Sequence, residues 1–176
     1  GIAAYKNIDH WYKGPSGWLQ HVLDCLMAQI VAMRQDTKIH KVFSQRITKP
    51  DFLVDGGDLL PGFPDWQVIY TPGHTAHDIA VFHAKSRTLY CGDSIIVVKN
   101  RFYLPLPVIF KNKMRQSYKE LASLGAATIL IPHGNTINTE NSRDIFKEMI
   151  SLLDVPPNKL RRRVHYFSVW SPDIWK

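Results

Sequence analysis

The chain has 176 residues, of which 45% are apolar and 21% are charged, so it is neither disordered nor fibrous and can bury a core. Its formal charge of +7 suits an anionic partner, but charge alone does not establish a nucleic-acid partner. The longest apolar stretch, residues 18–33, contains His21 and Asp24 and is shorter than the roughly 20 residues that cross a bilayer. No membrane span is therefore expected. Two cysteines and no signal-peptide pattern favour a reducing, cytoplasmic setting.

The first segment, residues 1–50, is predicted to be helical. Apolar residues recur at helical spacing, at positions 19, 22, 26, 30 and 33. Ser16 is available as an N-cap after Gly14 and Pro15. The pattern predicts one helix with a single buried apolar stripe.

The second segment, residues 51–153, changes to short apolar runs separated by Gly, Pro and Asp, which is typical of strands and turns. Strands are predicted at 66–70, 79–83, 88–91 and 127–131, and helices at 112–124, closed by Gly125, and at 140–153, stopped by Pro156 and Pro157. This alternation indicates an α/β layered domain. Residues 154–176 form a basic C-terminal tail, and its run 161–170 is either a final strand or an arm. The whole chain, 1–176, is interpreted as a single domain.

Three loops each place a metal-binding side chain just after an apolar strand. His74 follows "VIY", Asp93 lies in "LYCGDSII", and His133 lies in "ILIPHGN". Because the ends of neighbouring strands converge on one edge of a sheet, the three side chains are expected to share a site.

The residue types of these loops suit a divalent metal. Neutral imidazole nitrogens bind zinc, and a carboxylate holds one ion or bridges two, which leaves a position for water. Such a water becomes a hydroxide near neutral pH. Gly73, Gly92 and Gly134 flank the three candidates and permit the close or left-handed backbone that such loops need. The pattern predicts one or two divalent ions, with zinc as the expected metal.

Over residues 51–153 the sequence resembles the metallo-β-lactamase superfamily of metal-dependent hydrolases. The motifs "TPGHT" and "GD" are the strongest part of the resemblance, and "TILIPHGN" is similar to the family's last ligand motif. The resemblance implies an αββα sandwich with a one- or two-metal site at one edge of the paired sheets. By similarity, His74 would bind the first metal, Asp93 would bridge both metals as the catalytic residue, and His133 would bind the second.

The family's upstream ligand motif, His-x-His-x-Asp-His, does not occur in these 176 residues. The opening "GIAAYK" resembles the segment that comes directly after that motif in the family, so Gly1 is expected to be an internal residue of a longer protein and the sandwich to be without its N-terminal portion. The chain alone is then expected to have incomplete metal sites and little activity. Its uncovered edges and apolar surface are expected to bind the missing N-terminal segment or a second copy of the chain.

Other polar residues near the loops have two interpretations each. His77 and Asp78 either hydrogen-bond to a ligand imidazole and orient it, or Asp78 caps the following turn while His77 is exposed. Cys91 is either a thiolate ligand or a buried apolar residue. The remaining histidines have no partner at metal-like spacing and are interpreted as surface or core residues, with the alternative that the last of them reaches the cleft: His10, His21, His40, His83 and His165.

The leading functional hypothesis is a zinc-type hydrolase that cleaves a small ester, thioester, lactone or amide through a metal-bound hydroxide. The mixed apolar and basic stretch 97–117 suits an acyl substrate with an anionic group. One alternative is a ribonuclease Z-like nuclease, because of the charge and the run "KLRRR" at 159–163, although nucleic acid is the less favoured partner. The other alternative is a degenerate, non-catalytic domain that binds a partner.

Overall fold

The structure is a computed structural model of the chain. It describes residues 1–8, 13–34, 49–98, 100–132, 136–140 and 142–168. In chain order the elements are β1 (Ala3–Tyr5), α1 (Gly14–Arg34), β2 (Phe52–Val54), β3 (Leu59–Leu60), β4 (Phe63–Tyr70), β5 (Ile79–His83), β6 (Thr88–Tyr90), β7 (Ile96–Val98), β8 (Arg101–Tyr103), α2 (Lys111–Ser123), β9 (Thr128–Leu130), β10 (Ile137–Asn138), α3 (Ser142–Asp154) and α4 (Lys159–Ser168).

The main sheet has six strands in the order β10-β9-β6-β5-β4-β3. Strands β3 to β6 form an antiparallel meander, and β6 then pairs in parallel with β9. Strands β4, β6 and β9 therefore run in the same direction and end at the same edge of the sheet. Two small sheets accompany it, a parallel pair of β1 with β2 and a hairpin of β7 with β8.

Helices α2 and α3 cover the main sheet and form the core with it. The inward side chains of α2 are Met114, Ser117, Tyr118 and Leu121, which recur every three or four residues as one face of a helix requires. They meet Phe146 and Met149 of α3 and, from the sheet, Leu89 and Ile129. The core thus lies against the strands whose ends carry the predicted ligand loops.

The α/β class predicted from the sequence is confirmed, and so are most of its elements. Strand β5 has the predicted bounds, and β4, β6, β9, α2 and α3 differ from the prediction by a few residues at their ends. Gly125 follows α2 with a φ of 60°, the left-handed conformation in which glycine closes a helix.

The predicted orientation of α1 is wrong. The helix begins at Gly14, so Ser16 lies inside its first turn and is not the N-cap. Gln20 and His21 are buried, whereas Leu19 and Leu26 of the predicted stripe are 41% and 55% exposed. The Gln20 amide nitrogen donates to the Asp24 carboxylate at 2.7 Å, which satisfies one of the polar groups on the inward face. Helical periodicity shows which residues share a face, but not which face the fold covers.

Two further differences concern the ends of the chain. The tail forms helix α4 over Lys159–Ser168, where a strand or an arm was expected. The N-terminus of α4 is capped by Asn158, whose side-chain oxygen accepts a hydrogen bond from the Arg161 backbone N–H at 2.9 Å. The sequence pattern did not reveal this N-cap. The first segment also contains a strand, β1, which pairs with β2 in the register Ala4 to Leu53.

Of the helices that the structure describes, none combines the length and the apolar character that a bilayer crossing would require.

Because a leucine of α2 is buried and a leucine of α1 is exposed, replacing each by alanine should change the free energy of unfolding by different amounts. Leu121 is fully buried and Leu26 is 55% exposed. Leu121→Ala should lower the free energy of unfolding by about 2–5 kcal/mol, and Leu26→Ala should change it by about 0.5 kcal/mol or less. Urea denaturation measures both, and equal losses would show that the Leu26 face of α1 is part of the core.

Candidate metal site at the sheet edge

The loop of residues 71–78 joins β4 to β5, whose last and first residues, Tyr70 and Ile79, are paired. The Thr71 N–H donates to the Asp78 carbonyl at 2.9 Å and closes the loop at its base. The carboxylate of Asp78 accepts hydrogen bonds from the Thr75 N–H at 2.5 Å and from the Thr75 hydroxyl at 2.8 Å. The polar residues that crowd this loop therefore fix its shape.

The imidazole of His74 is held by a backbone carbonyl. Its Nδ1 lies 2.6 Å from the carbonyl oxygen of Pro107. A carbonyl oxygen only accepts hydrogen bonds, so the proton of the neutral ring is on Nδ1 and the lone pair is on Nε2. This arrangement is the one in which metal-binding histidines are found, with the second ring nitrogen donating to an oxygen.

Helix α2 presses directly on the His74 loop. A Cβ atom at Gly73 would lie 2.6 Å from the Cα atom of Met114, which is closer than real side chains approach a backbone. The Phe110 N–H donates to the Gly73 carbonyl at 2.9 Å, and the Ser117 hydroxyl donates to the Pro72 carbonyl at 2.9 Å. Glycine is therefore required at position 73 by the helix that packs on it.

The second predicted ligand, Asp93, lies in a single 3₁₀ turn, Gly92–Ser94, after β6. Gly92 has a φ of 52°, and a Cβ there would meet the Ile79 carbonyl at 2.9 Å. The buried Tyr118 hydroxyl donates to the Ser94 carbonyl at 2.7 Å. Ser117 and Tyr118, which are adjacent on α2, thus bind the loop of His74 and the turn of Asp93. The Asp93 side chain itself is exposed.

The charges of the site interact. Burial raises the pKa of Asp78 and the negative charge of Asp93 adds to the rise, whereas the hydrogen bonds from Thr75, and the charge of His74 whenever its ring is protonated, oppose it. Asp78 therefore lies within electrostatic range of both predicted ligands.

Two of the three predicted ligands can be placed. His74 follows β4 and Asp93 follows β6, and these strands end at the same sheet edge. His133 lies outside the described residues, although β9, which precedes it, ends at that edge too. Among the residues that the structure describes, no three His, Cys, Asp or Glu side chains are grouped closely enough to hold a metal. The ligand set of His74, Asp93 and His133 stays a prediction.

The structure corrects the alternative in which His77 is exposed and Asp78 caps the following turn. His77 is only 8% exposed, and its ring lies 6.1 Å from that of Tyr5. The Asp78 carboxylate binds Thr75, which precedes it. The other interpretation, in which His77 and Asp78 orient a ligand imidazole, stays a prediction, because the observed partner of His74 Nδ1 is Pro107.

Cys91 packs in the core. It is fully buried, and its sulfur lies 3.6 Å from the carbonyl oxygens of Gly92 and Leu130. Burial raises the pKa of the Cys91 thiol to about 12, as expected for a sulfur packed among apolar side chains. This supports the apolar alternative over a thiolate ligand.

Sequence reasoning missed the residues that support the loops: Pro107, Met114, Ser117 and Tyr118. The inward face of α2 could be found from its helical spacing. The contact of Pro107 with His74 had no signal, because it uses a backbone carbonyl and joins positions 33 residues apart.

The close approach of α2 predicts the effect of Gly73→Ala. The new methyl group would meet the Met114 backbone, so the loop should move and unfolding should become easier by about 1–3 kcal/mol. The Phe110 amide, which donates to the Gly73 carbonyl, should exchange faster with deuterium.

Gly62→Ala is the matched control, because Gly62 has a φ of 80° and a Cβ atom there would have no atom of the described residues within 4 Å. It should lower stability by about 1–2 kcal/mol through backbone strain and leave Phe110 exchange unchanged. Unchanged Phe110 exchange in Gly73→Ala would contradict the close contact.

Tyr118→Phe should cost about 1–3 kcal/mol of unfolding free energy, because it leaves the Ser94 carbonyl without its buried donor. Tyr166→Phe is the control at a tyrosine that is 69% exposed. Urea denaturation compares the two variants, and indistinguishable midpoints would show that Tyr118 does not hold the Asp93 turn.

The sequence of the chain is similar to those of a known family and of several curated proteins. The family model of the metallo-beta-lactamase superfamily matches residues 2–133. A hydroxyacylglutathione hydrolase of Francisella tularensis subsp. novicida (strain U112) is 31% identical over 68 residues, which are 38% of this chain and 27% of that protein. One from Francisella philomiragia subsp. philomiragia is 28% identical over 68 residues, with the same coverage. The chain thus spans only about a quarter of the length of these curated relatives.

Solved structures show the same fold. A metallo-beta-lactamase superfamily protein of Sulfolobus tokodaii, ST1585, has a TM-score of 0.60 at 14% identity, over 97% of this chain and 67% of that one. A metallo-beta-lactamase family protein of Thermus thermophilus, TTHA1429, has a TM-score of 0.56 at 18% identity, over 85% of this chain and 51% of that one. Because the family match covers most of the chain and includes the loops of His74 and Asp93, the chain belongs to the metallo-β-lactamase superfamily.

Proposed function

We propose that the protein is a metal-dependent hydrolase, with zinc as its metal and a thioester as its first candidate substrate, ahead of an ester, lactone or amide. The observation that carries the proposal is the hydrogen bond from His74 Nδ1 to the Pro107 carbonyl. This bond leaves the lone pair of the neutral ring on Nε2, and His74 lies at the same sheet edge as Asp93. The relatives' name, hydroxyacylglutathione hydrolase, denotes cleavage of an acyl-glutathione, which is a thioester.

The described donors fit a divalent ion. An imidazole nitrogen and a carboxylate are the ligands that zinc takes in catalytic sites. In the proposal His74 and His133 would hold the metal or metals, and Asp93 would be the ligand shared between two ions. A divalent ion, when bound, supplies a Lewis acid for the carbonyl group and an activated water. Because these 176 residues contain no His-x-His-x-Asp-His motif, the proposal includes further ligands from residues upstream of this chain, without which metal binding is weak.

The chain's own residues would keep the donors in place. The Pro107 carbonyl would hold the proton on His74 Nδ1, and this hydrogen bond opposes rotation of the ring. The Asp78 carboxylate, bound to Thr75, keeps the loop closed. Tyr118 holds the Ser94 carbonyl and so fixes the turn that presents Asp93. Groups held in this way lose little freedom when a substrate binds, and such preorganisation is what catalysis requires.

The proposal predicts that Asp93→Asn, made in the protein with its natural upstream residues, loses bound zinc and lowers thioester turnover more than about 100-fold, which exceeds the usual effect of changing a residue next to a ligand. The substrate is a hydroxyacylglutathione, the released thiol is measured by absorbance, and zinc is measured by elemental analysis. Asp65→Asn is the control at an exposed aspartate and should retain both.

Retained zinc and turnover in Asp93→Asn would remove Asp93 from the mechanism. Protein that binds no zinc even with its upstream residues would favour the degenerate, non-catalytic alternative. Zinc binding with RNA cleavage, and no thioester cleavage, would favour the ribonuclease Z-like alternative, and its RNA affinity should then fall steeply with salt.

A further inference from the structure

A pocket of about 320 Å³ lies between the segment 104–111, the end of α3 and helix α4. This volume is within the range of small-molecule sites, about 300–1,000 Å³. The pocket is therefore large enough for a chain of medium length.

The wall of the pocket is aliphatic. Leu104, Leu106, Val108 and Val155 are among the side chains that line it. Leu106 and Val155 are 37% and 60% exposed, so apolar surface at the mouth is accessible to a ligand. An aliphatic chain is the group that gains most from leaving water for such a surface.

Helix α4 adds positive charge to this apolar wall. Arg161 and Arg162 both line the pocket, and the Arg161 guanidinium reaches the Leu104 carbonyl at 3.5 Å. In the described part of the chain neither arginine forms an ion pair, whereas the nearby Asp154 carboxylate is already paired with Lys111 and Arg115. An anionic group on the ligand would therefore meet two arginines whose charge no carboxylate of the described residues compensates.

The pocket shares a wall with the candidate metal site. The carbonyl of Pro107 faces His74, while the residues on either side, Leu106 and Val108, line the pocket. A ligand seated in the pocket would lie behind the segment that holds the metal-binding ring.

We propose that this pocket binds a medium-chain aliphatic carboxylate, with its chain against the Leu104–Val108 wall and its carboxylate at Arg161 and Arg162. Because such a ligand lies behind the segment that holds His74, the inference concerns binding alone and does not rest on the proposed function.

Binding is tested without catalysis by calorimetric titration of the protein with butanoate, hexanoate, octanoate and decanoate. The dissociation constant should fall by up to about fourfold for each added methylene until the chain fills the pocket. Methyl decanoate, which has the chain without the charge, should bind more weakly than decanoate. A dissociation constant that does not depend on chain length, or equal binding of methyl decanoate, would overturn the proposal.

Variants of neighbouring residues locate the two parts of the ligand. Arg162→Gln should weaken decanoate binding by up to about fivefold, and Arg163→Gln, next to it on α4 but outside the lining, should not. Val155→Asp should repel the ligand, whereas Val98→Asp, at a valine that is 50% exposed outside the pocket, should leave binding unchanged. Equal effects within either pair would place the ligand elsewhere.

Turnover is measured separately from binding, with a hydroxyacylglutathione as the substrate. Thioester hydrolysis without selective decanoate binding would overturn the pocket assignment and leave the hydrolase intact. Selective decanoate binding without any thioester hydrolysis would support the pocket and contradict the proposed function.

Discussion

The contact between helix α2 and the loop of residues 71–78 is the constraint on which the candidate site depends. The Met114 backbone comes so near to Gly73 that no side chain fits between them. This contact brings the Ser117 hydroxyl to the Pro72 carbonyl and, on the next residue, the Tyr118 hydroxyl to the Ser94 carbonyl. One helix therefore fixes two loops that are separate in sequence, and its inward face anchors both to the core. The packing of α2 in the core therefore also determines where His74 and Asp93 lie.

Much of the fold follows from local sequence signals. The alternation of apolar runs with Gly and Pro predicted strand β5 and the end of helix α2, and the order of strands and helices indicated the α/β class. The convergence of His74 and Asp93 on one edge follows from strand direction, because β5 is antiparallel to both β4 and β6 and these two strands therefore run the same way. The position of His133 stays a prediction, because it lies outside the described residues.

Other features depend on tertiary contacts and left no pattern in the sequence. The burial of Gln20 in place of Leu26 depends on how α1 is oriented in the fold. The burial of His77 depends on the fold that brings Tyr5 close to it from a distant part of the chain. The partner of His74 is a carbonyl group, which every residue carries, so residue identity at position 107 could not reveal it. Sequence patterns thus indicated the donors more reliably than the groups that hold them.

The most direct test of the central claim, that His74 presents Nε2 to a metal while Pro107 holds Nδ1, is the ¹⁵N chemical shift of the two His74 ring nitrogens during titration with zinc. The nitrogens can be assigned with a His74→Gln variant. The account predicts that zinc shifts the Nε2 resonance, that Nδ1 keeps the shift of a protonated nitrogen, and that Asp93→Asn weakens the response. A zinc-induced change at Nδ1, or His74 resonances that do not respond to zinc while those of other histidines do, would contradict it.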